Sequence, residues 1–105
     1  MKLVIIESPY AGNIEENVRY ARACMRDCLM RGEAPLASHL LYTQEGVLDD
    51  KDPIERSLGI AAGFDWNAKA ELVVVYQDLG VSKGMQQGIE FAESRGIPVE
   101  YRKIL

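Results

Sequence analysis

Two unbroken β-branched runs constrain this chain more than any other feature: Leu3-Val4-Ile5-Ile6 near the start, and Leu72-Val73-Val74-Val75 in the second half. A strand that is apolar on every residue, rather than on alternate ones, is covered on both faces, as in a parallel sheet under helices. The stretches around these runs carry helical periods. Ile14, Val18, Ala21, Met25 and Leu29 follow at helix spacing. Asn13 stands as their N-cap, with Glu16 placed to close a capping box. Arg31-Gly32 supplies the stop. Asp52-Pro53-Ile54-Glu55 opens a second helix with an N-cap, an N1 proline and a first-turn glutamate. Its predicted apolar face is Ile54, Leu58, Ala61 and Ala62, and it runs to about Trp66–Ala68. Ser82 caps a third helix, with Met85, Gly88, Ile89 and Ala92 as its sheet-facing stripe and Arg95-Gly96 as its end. A short strand around Leu36–Leu41, a polar loop over Thr43–Asp52 and a last strand over Val99–Ile104 complete a β-α-β-α-β-α-β order.

Successive parallel strands joined by helical crossovers form an α/β fold. The expected architecture is a small open parallel sheet of about four strands in the order 2-1-3-4, flavodoxin- or Rossmann-like, with helices on both faces. With 105 residues, 48% of them hydrophobic, and no repeat or linker, residues 1–105 are expected to form a single domain. Twelve Lys and Arg against sixteen Asp and Glu leave a net charge of −4, which argues against a long nucleic-acid partner. A single phosphate stays within reach of a few local groups. No apolar run approaches the roughly 18–20 residues of a membrane span. The apolar N-terminal stretch is also too short for a secretory signal, so the expected location is cytoplasmic. Cys24, Cys28 and the lone His39 do not make a zinc site, which takes four such ligands. The cysteines read as reduced packing residues, and neither metal nor cofactor is expected.

In open α/β sheets, ligands bind outside the strands' carboxyl ends, where the strand order reverses. Two loops fall there: Ser8–Asn13 and Gln77–Ser82. In the first, Gly12 allows backbone to approach a ligand, the helix start after Asn13 offers free N–H groups to an anion, and Tyr10 offers a ring and a hydroxyl. The alternative is an ordinary turn with a packed tyrosine. It is neither a GxGxxG fingerprint nor a P-loop. In the second, Asp78, Gly80 and Ser82 form a complementary half, with Asp78 either a ligand contact or a local cap. Gln86 lies in the first turn of the following helix and Glu90 a turn deeper, where a solvated charge is the plain reading. Arg19 is placed to reach an anion. His39 is a site candidate or a hydrogen-bonded structural histidine. Glu55 and Arg56 are site candidates or an exposed ion pair. An exposed Trp66 would mark a subunit interface.

Ser8-Pro9-Tyr10-x-Gly12 after the first strand, and Asp78-x-Gly80 leading into Gly84-Met85-x-x-Gly88, resemble the nucleoside 2-deoxyribosyltransferase-like superfamily. Ala34-Pro35-x-Ala37-Ser38-His39, Tyr42-Thr43-Gln44, Leu48-Asp49-Asp50 and Glu55-Arg56 are similar, over nearly the whole chain, to a small uncharacterised family of bacteriophage and bacterial proteins related to it. The resemblance implies a site for nucleosides, nucleotides or nucleotide-derived signals, and enzymes that cleave or exchange the N-glycosidic bond through a helix glutamate. Gln86 stands at that glutamate's position, and a neutral amide cannot supply its charge. Tyr10 matches a tyrosine near the reacting centre, and Asp78 an acidic contact to sugar or base. Two expectations follow. One is a nucleotide-binding sensor, regulator or sequestering protein. The other is a deoxyribosyltransferase or nucleotide N-glycosidase with a displaced catalytic carboxylate, Glu55 or Glu90. The resemblance also implies pockets shared between subunits, so a homodimer is the default, packed through Tyr20–Cys28 or Phe64–Trp66. If phage-encoded, the protein would work in the host cytoplasm.

Overall fold

A computed structural model describes residues 1–105. Its elements are β1 (Lys2–Glu7), α1 (Ile14–Met30), β2 (Glu33–Leu36), α2 (Ser38–Leu41), α3 (Pro53–Asn67), β3 (Leu72–Tyr76), α4 (Lys83–Ser94) and β4 (Val99–Arg102). The strands form one sheet in the order β2-β1-β3-β4. Every pair is parallel, with Val4 opposite Pro35 and Leu72, and Val73 opposite Val99. The expected topology is the observed one.

Alternation along β1 sends Val4 and Ile6 to one face and Ile5 and Glu7 to the other. On the first face, Val4, Ile6, Val74 and Tyr76 pack under Tyr20, Cys24 and Cys28 of α1. On the second, Ile5, Val73 and Val75 pack under Met85, Ile89 and Ala92 of α4. α3 leans on α4 through the stacked rings of Phe64 and Phe91, 4.6 Å between centroids. Both cysteines are buried and unpaired. Within the Tyr20–Cys28 stretch of α1, Tyr20, Cys24 and Cys28 are core, while Arg22, Ala23 and Arg26 are exposed. Trp66 is half exposed, and its Nε1 donates to the Tyr42 hydroxyl at 2.7 Å.

The helix starts are the expected ones. Asn13 Oδ1 accepts from Glu16 N at 3.2 Å, although Glu16 itself stays exposed and leaves the box half formed. Asp52 accepts from Ile54 N and Glu55 N, and Ser82 from Met85 N.

Two expectations fail. The second strand ends at Leu36, and the Leu36–Leu41 run instead turns into α2, where Thr43 Oγ1 donates to the His39 carbonyl at 2.6 Å. β2 is an edge strand, which is why Pro35 is tolerated in it. The apolar face read for α3 also points outward: Ile54 is 76% and Leu58 58% exposed. The inward face carries Gly59, which faces Leu48 of the polar loop, and Gly63, where α3 passes close to α2. A Cβ at Gly63 would stand 2.7 Å from Ser38 Oγ.

Candidate functional site

The carboxyl end of β1 opens into a cavity of about 300 Å³ bounded by α2, α3 and the start of α4. β1 delivers Glu7 and Ser8 to it, the following loop Tyr10, and α2 His39. The loop is held by buried Asn17, whose Nδ2 donates to the carbonyls of Tyr10 and Ala11 at 2.9 and 3.1 Å. Ser8 and His39 join through a 2.7 Å hydrogen bond between Oγ and Nε2. Burial lowers the imidazole pKa to about 4, so His39 is neutral at pH 7.

Glu7 is the group the sequence reading missed. Its side chain points to the α4 face and reaches the helix at Gly88, where an added Cβ would lie 2.2 Å from Glu7 Oε2 and 2.6 Å from Cδ. Burial alone raises its pKa to about 8, with no cation or hydrogen-bond donor to offset it. At neutral pH the carboxyl therefore keeps its proton. The signals were present in the sequence. A lone carboxylate sits on the buried parity of an otherwise apolar strand, and Gly88 interrupts a helix at a cost of ~1 kcal/mol against alanine.

The rest of the wall is charged and aromatic. Ser82, Lys83 and Gly84 bring the N-terminus of α4 to the cavity, and a helix start is hospitable to an anion. Arg56 lines it too, with Nη1 2.8 Å from Asp50 Oδ2. Tyr10, Tyr42 and Phe64 supply rings. Glu55 also lines the cavity, but its Oε1 accepts from Asp49 N at 3.0 Å and so closes the polar loop.

Of the candidate site residues singled out from sequence, Ser8, Tyr10, His39, Glu55, Arg56 and Ser82 meet here, and Gly12, Asn13, Arg19, Asp78, Gly80, Gln86 and Glu90 do not. Gly12 and Gly80 take left-handed turns at φ +99° and +88° outside the cavity, and Asn13 is spent on its cap. Arg19 pairs with Glu15 at 3.1 Å in solvent. Gln86 and Glu90 are exposed and off the wall, whereas Gln87 is on it. Asp78 is a latch for the C-terminus: it accepts from Tyr20 Oη at 2.6 Å and from the backbone N–H groups of Ile104 and Leu105 at 2.9 and 3.0 Å. Desolvation works against its charge, but the Tyr20 hydroxyl and the backbone donors together hold its pKa below the ordinary carboxylate value. No group of three or more His, Cys, Asp or Glu is arranged to hold a metal ion. No helix is long and apolar enough to cross a membrane.

A parallel four-stranded sheet with a cavity at its carboxyl edge defines an α/β protein with a small-molecule-sized site at the topological switch point. The chain belongs to the family described as Domain of unknown function (DUF7768), whose model matches residues 2–102. No curated protein matches it in sequence. Two solved structures share its fold, which is that of the nucleoside deoxyribosyltransferase-like proteins. One is the 2-deoxyribosyltransferase of the psychrotolerant bacterium Bacillus psychrosaccharolyticus, at a TM-score of 0.68 and 14% identity, covering 96% of this chain and 72% of that one. The other is the CMP N-glycosidase BcmB of Clostridium botulinum, at a TM-score of 0.57 and 14% identity, covering 97% and 69%.

Proposed function

We propose that the chain binds a nucleoside or nucleotide derivative in the cavity at the carboxyl edge of β1, and that residues 1–105 act as a single deoxyribosyltransferase-like domain. The observation that carries this reading is the make-up of the cavity lining. Within a volume of about 300 Å³, Tyr10 and Tyr42 offer faces for a base, while Lys83, Arg56 and the α4 N-terminus offer positive potential for a phosphate. Ser8, His39 and the carboxyl of Glu7 share the same lining and suit sugar hydroxyls or the polar edge of a base. The net charge of −4 supports local rather than long-range capture of the anion. Shared fold with a deoxyribosyltransferase and a CMP N-glycosidase supports the ligand class. A homodimer remains part of the proposal, with half-exposed Trp66 beside the cavity residue Phe64 as its contact.

The test is thermal unfolding with nucleosides, nucleoside 5′-monophosphates and inorganic phosphate at millimolar concentration. Monophosphates are expected to raise Tm more than nucleosides, and Arg56→Ala to erase that difference while keeping the nucleoside shift. No shift with any nucleoside or nucleotide refutes the reading.

A further inference from the structure

We propose that Glu7, seated against Gly88, is the catalytic general acid for hydrolysis of an N-glycosidic bond. The proposal rests on the nucleoside-binding reading above and adds a reaction to it. Three observations carry it. Glu7 is a carboxyl at the end of the central strand β1 that lines the cavity and has no partner in the chain. α4 makes room for it by omitting a side chain, since any Cβ at position 88 would overlap the carboxyl group. The other carboxylates near the cavity are engaged: Asp50 by Arg56, and Glu55 by the backbone of Asp49. A half-buried carboxyl that has lost most of its hydration without gaining a partner is costly to a fold, and a helix glycine adds to that cost. A structural role would return neither.

The chemistry fits a proton-bearing carboxyl. A heterocyclic base leaves a sugar readily only if its nitrogen is protonated as the bond breaks. A carboxyl in an apolar setting holds its proton at neutral pH for that purpose. As the C1′–N bond breaks, with its electron pair passing to the base nitrogen, Glu7 gives that nitrogen its proton. Water adds its oxygen to C1′, and the Glu7 carboxylate takes the proton the water loses. Nucleoside and water become free base and sugar, and Glu7 ends as it began. This role differs from that of a nucleophilic helix glutamate, which needs an ionised carboxylate at the position of Gln86, on the solvent side of α4.

The experiment incubates the full chain with the eight common ribo- and deoxyribonucleoside 5′-monophosphates between pH 6 and 9. Free base is read by chromatography, and Tm shift is read in parallel. Release from at least one monophosphate is expected, declining as pH rises past about 8. Glu7→Gln should cut release by roughly 10²–10⁴-fold while keeping the Tm shift, and Glu7→Asp should recover part of it. Glu90→Gln, outside the cavity, should leave release unchanged. Release within threefold of wild type in Glu7→Gln, or release that climbs with pH through 8, overturns the assignment. A Tm shift without release at any pH also overturns it and leaves the binding reading standing. No shift and no release remove both.

Discussion

Replacing Glu7 with glutamine should stabilise the protein, by an amount that depends on pH in a specified direction. The carboxyl pKa rises from 4.5 in the free chain to about 8 in the fold because burial disfavours its charge. Between those two values the folded state binds a proton that the unfolded state has released. Stability is therefore full below pH 4.5 and is lost as pH climbs towards 8. At about 1.4 kcal/mol per pH unit, the loss is under about 1 kcal/mol at pH 5, about 3 at pH 7 and towards about 5 above pH 8. Glu7 keeps part of its surface open, and solvent screening there makes these figures ceilings. Glutamine fills the same volume and does not titrate. Urea unfolding followed by circular dichroism at pH 5, 7 and 8.5 should show Glu7→Gln and wild type nearly equal at the first and diverging at the others. At roughly 4–8 °C per kcal/mol for a domain of this size, a gain of even 2 kcal/mol raises Tm by about 10 °C. Gly88→Ala provides a check from the other side. Its Cβ would displace the flexible end of Glu7 rather than backbone, so the carboxyl should move towards water and the alkaline loss should shrink. Parallel stability curves for wild type and Glu7→Gln across the three pH values would refute the desolvation argument.

His39 should produce the opposite slope. Its pKa falls from 6.5 to about 4 on burial, so its contribution is full above pH 6.5 and is lost as pH falls towards 4. A proton NMR titration should show no protonation of the His39 ring above pH 5, and His39→Asn should flatten the acid limb of the stability curve. Arg102 is buried at the end of β4, with Nη1 and Nη2 donating to Glu33 at 2.8 and 2.7 Å, Nη1 also to Tyr76 Oη at 3.1 Å, and Nε to Glu100. Arg102→Ala strands Glu33, while the Tyr76 hydroxyl keeps Asp27 Oδ2 at 2.7 Å, and should cost about 3–5 kcal/mol by urea unfolding. A loss below 1 kcal/mol would show that water replaces the guanidinium.

What the sequence determined by itself was the framework. The apolar runs of β1 and β3 place two strands inside a parallel sheet because only double coverage lets every residue be apolar. The caps at Asn13, Asp52 and Ser82 set three helix starts because each satisfies backbone donors a few residues away. These are local facts, and local spacing carries them. The tertiary structure decided which residues share a site. The apolar stripe of α3 is exposed, and it is Gly63 that makes the close approach to α2. Asp78 sits in the expected loop, yet the chain's own C-terminus satisfies it. Gln86 and Gln87 differ by one position, and helix rotation alone puts only the second on the cavity. Glu7 acquires its raised pKa from burial at the α4 face, next to a glycine in a helix far along the chain. No property of either position alone records that meeting, because desolvation is set by everything packed around a carboxyl and not by its neighbours in sequence.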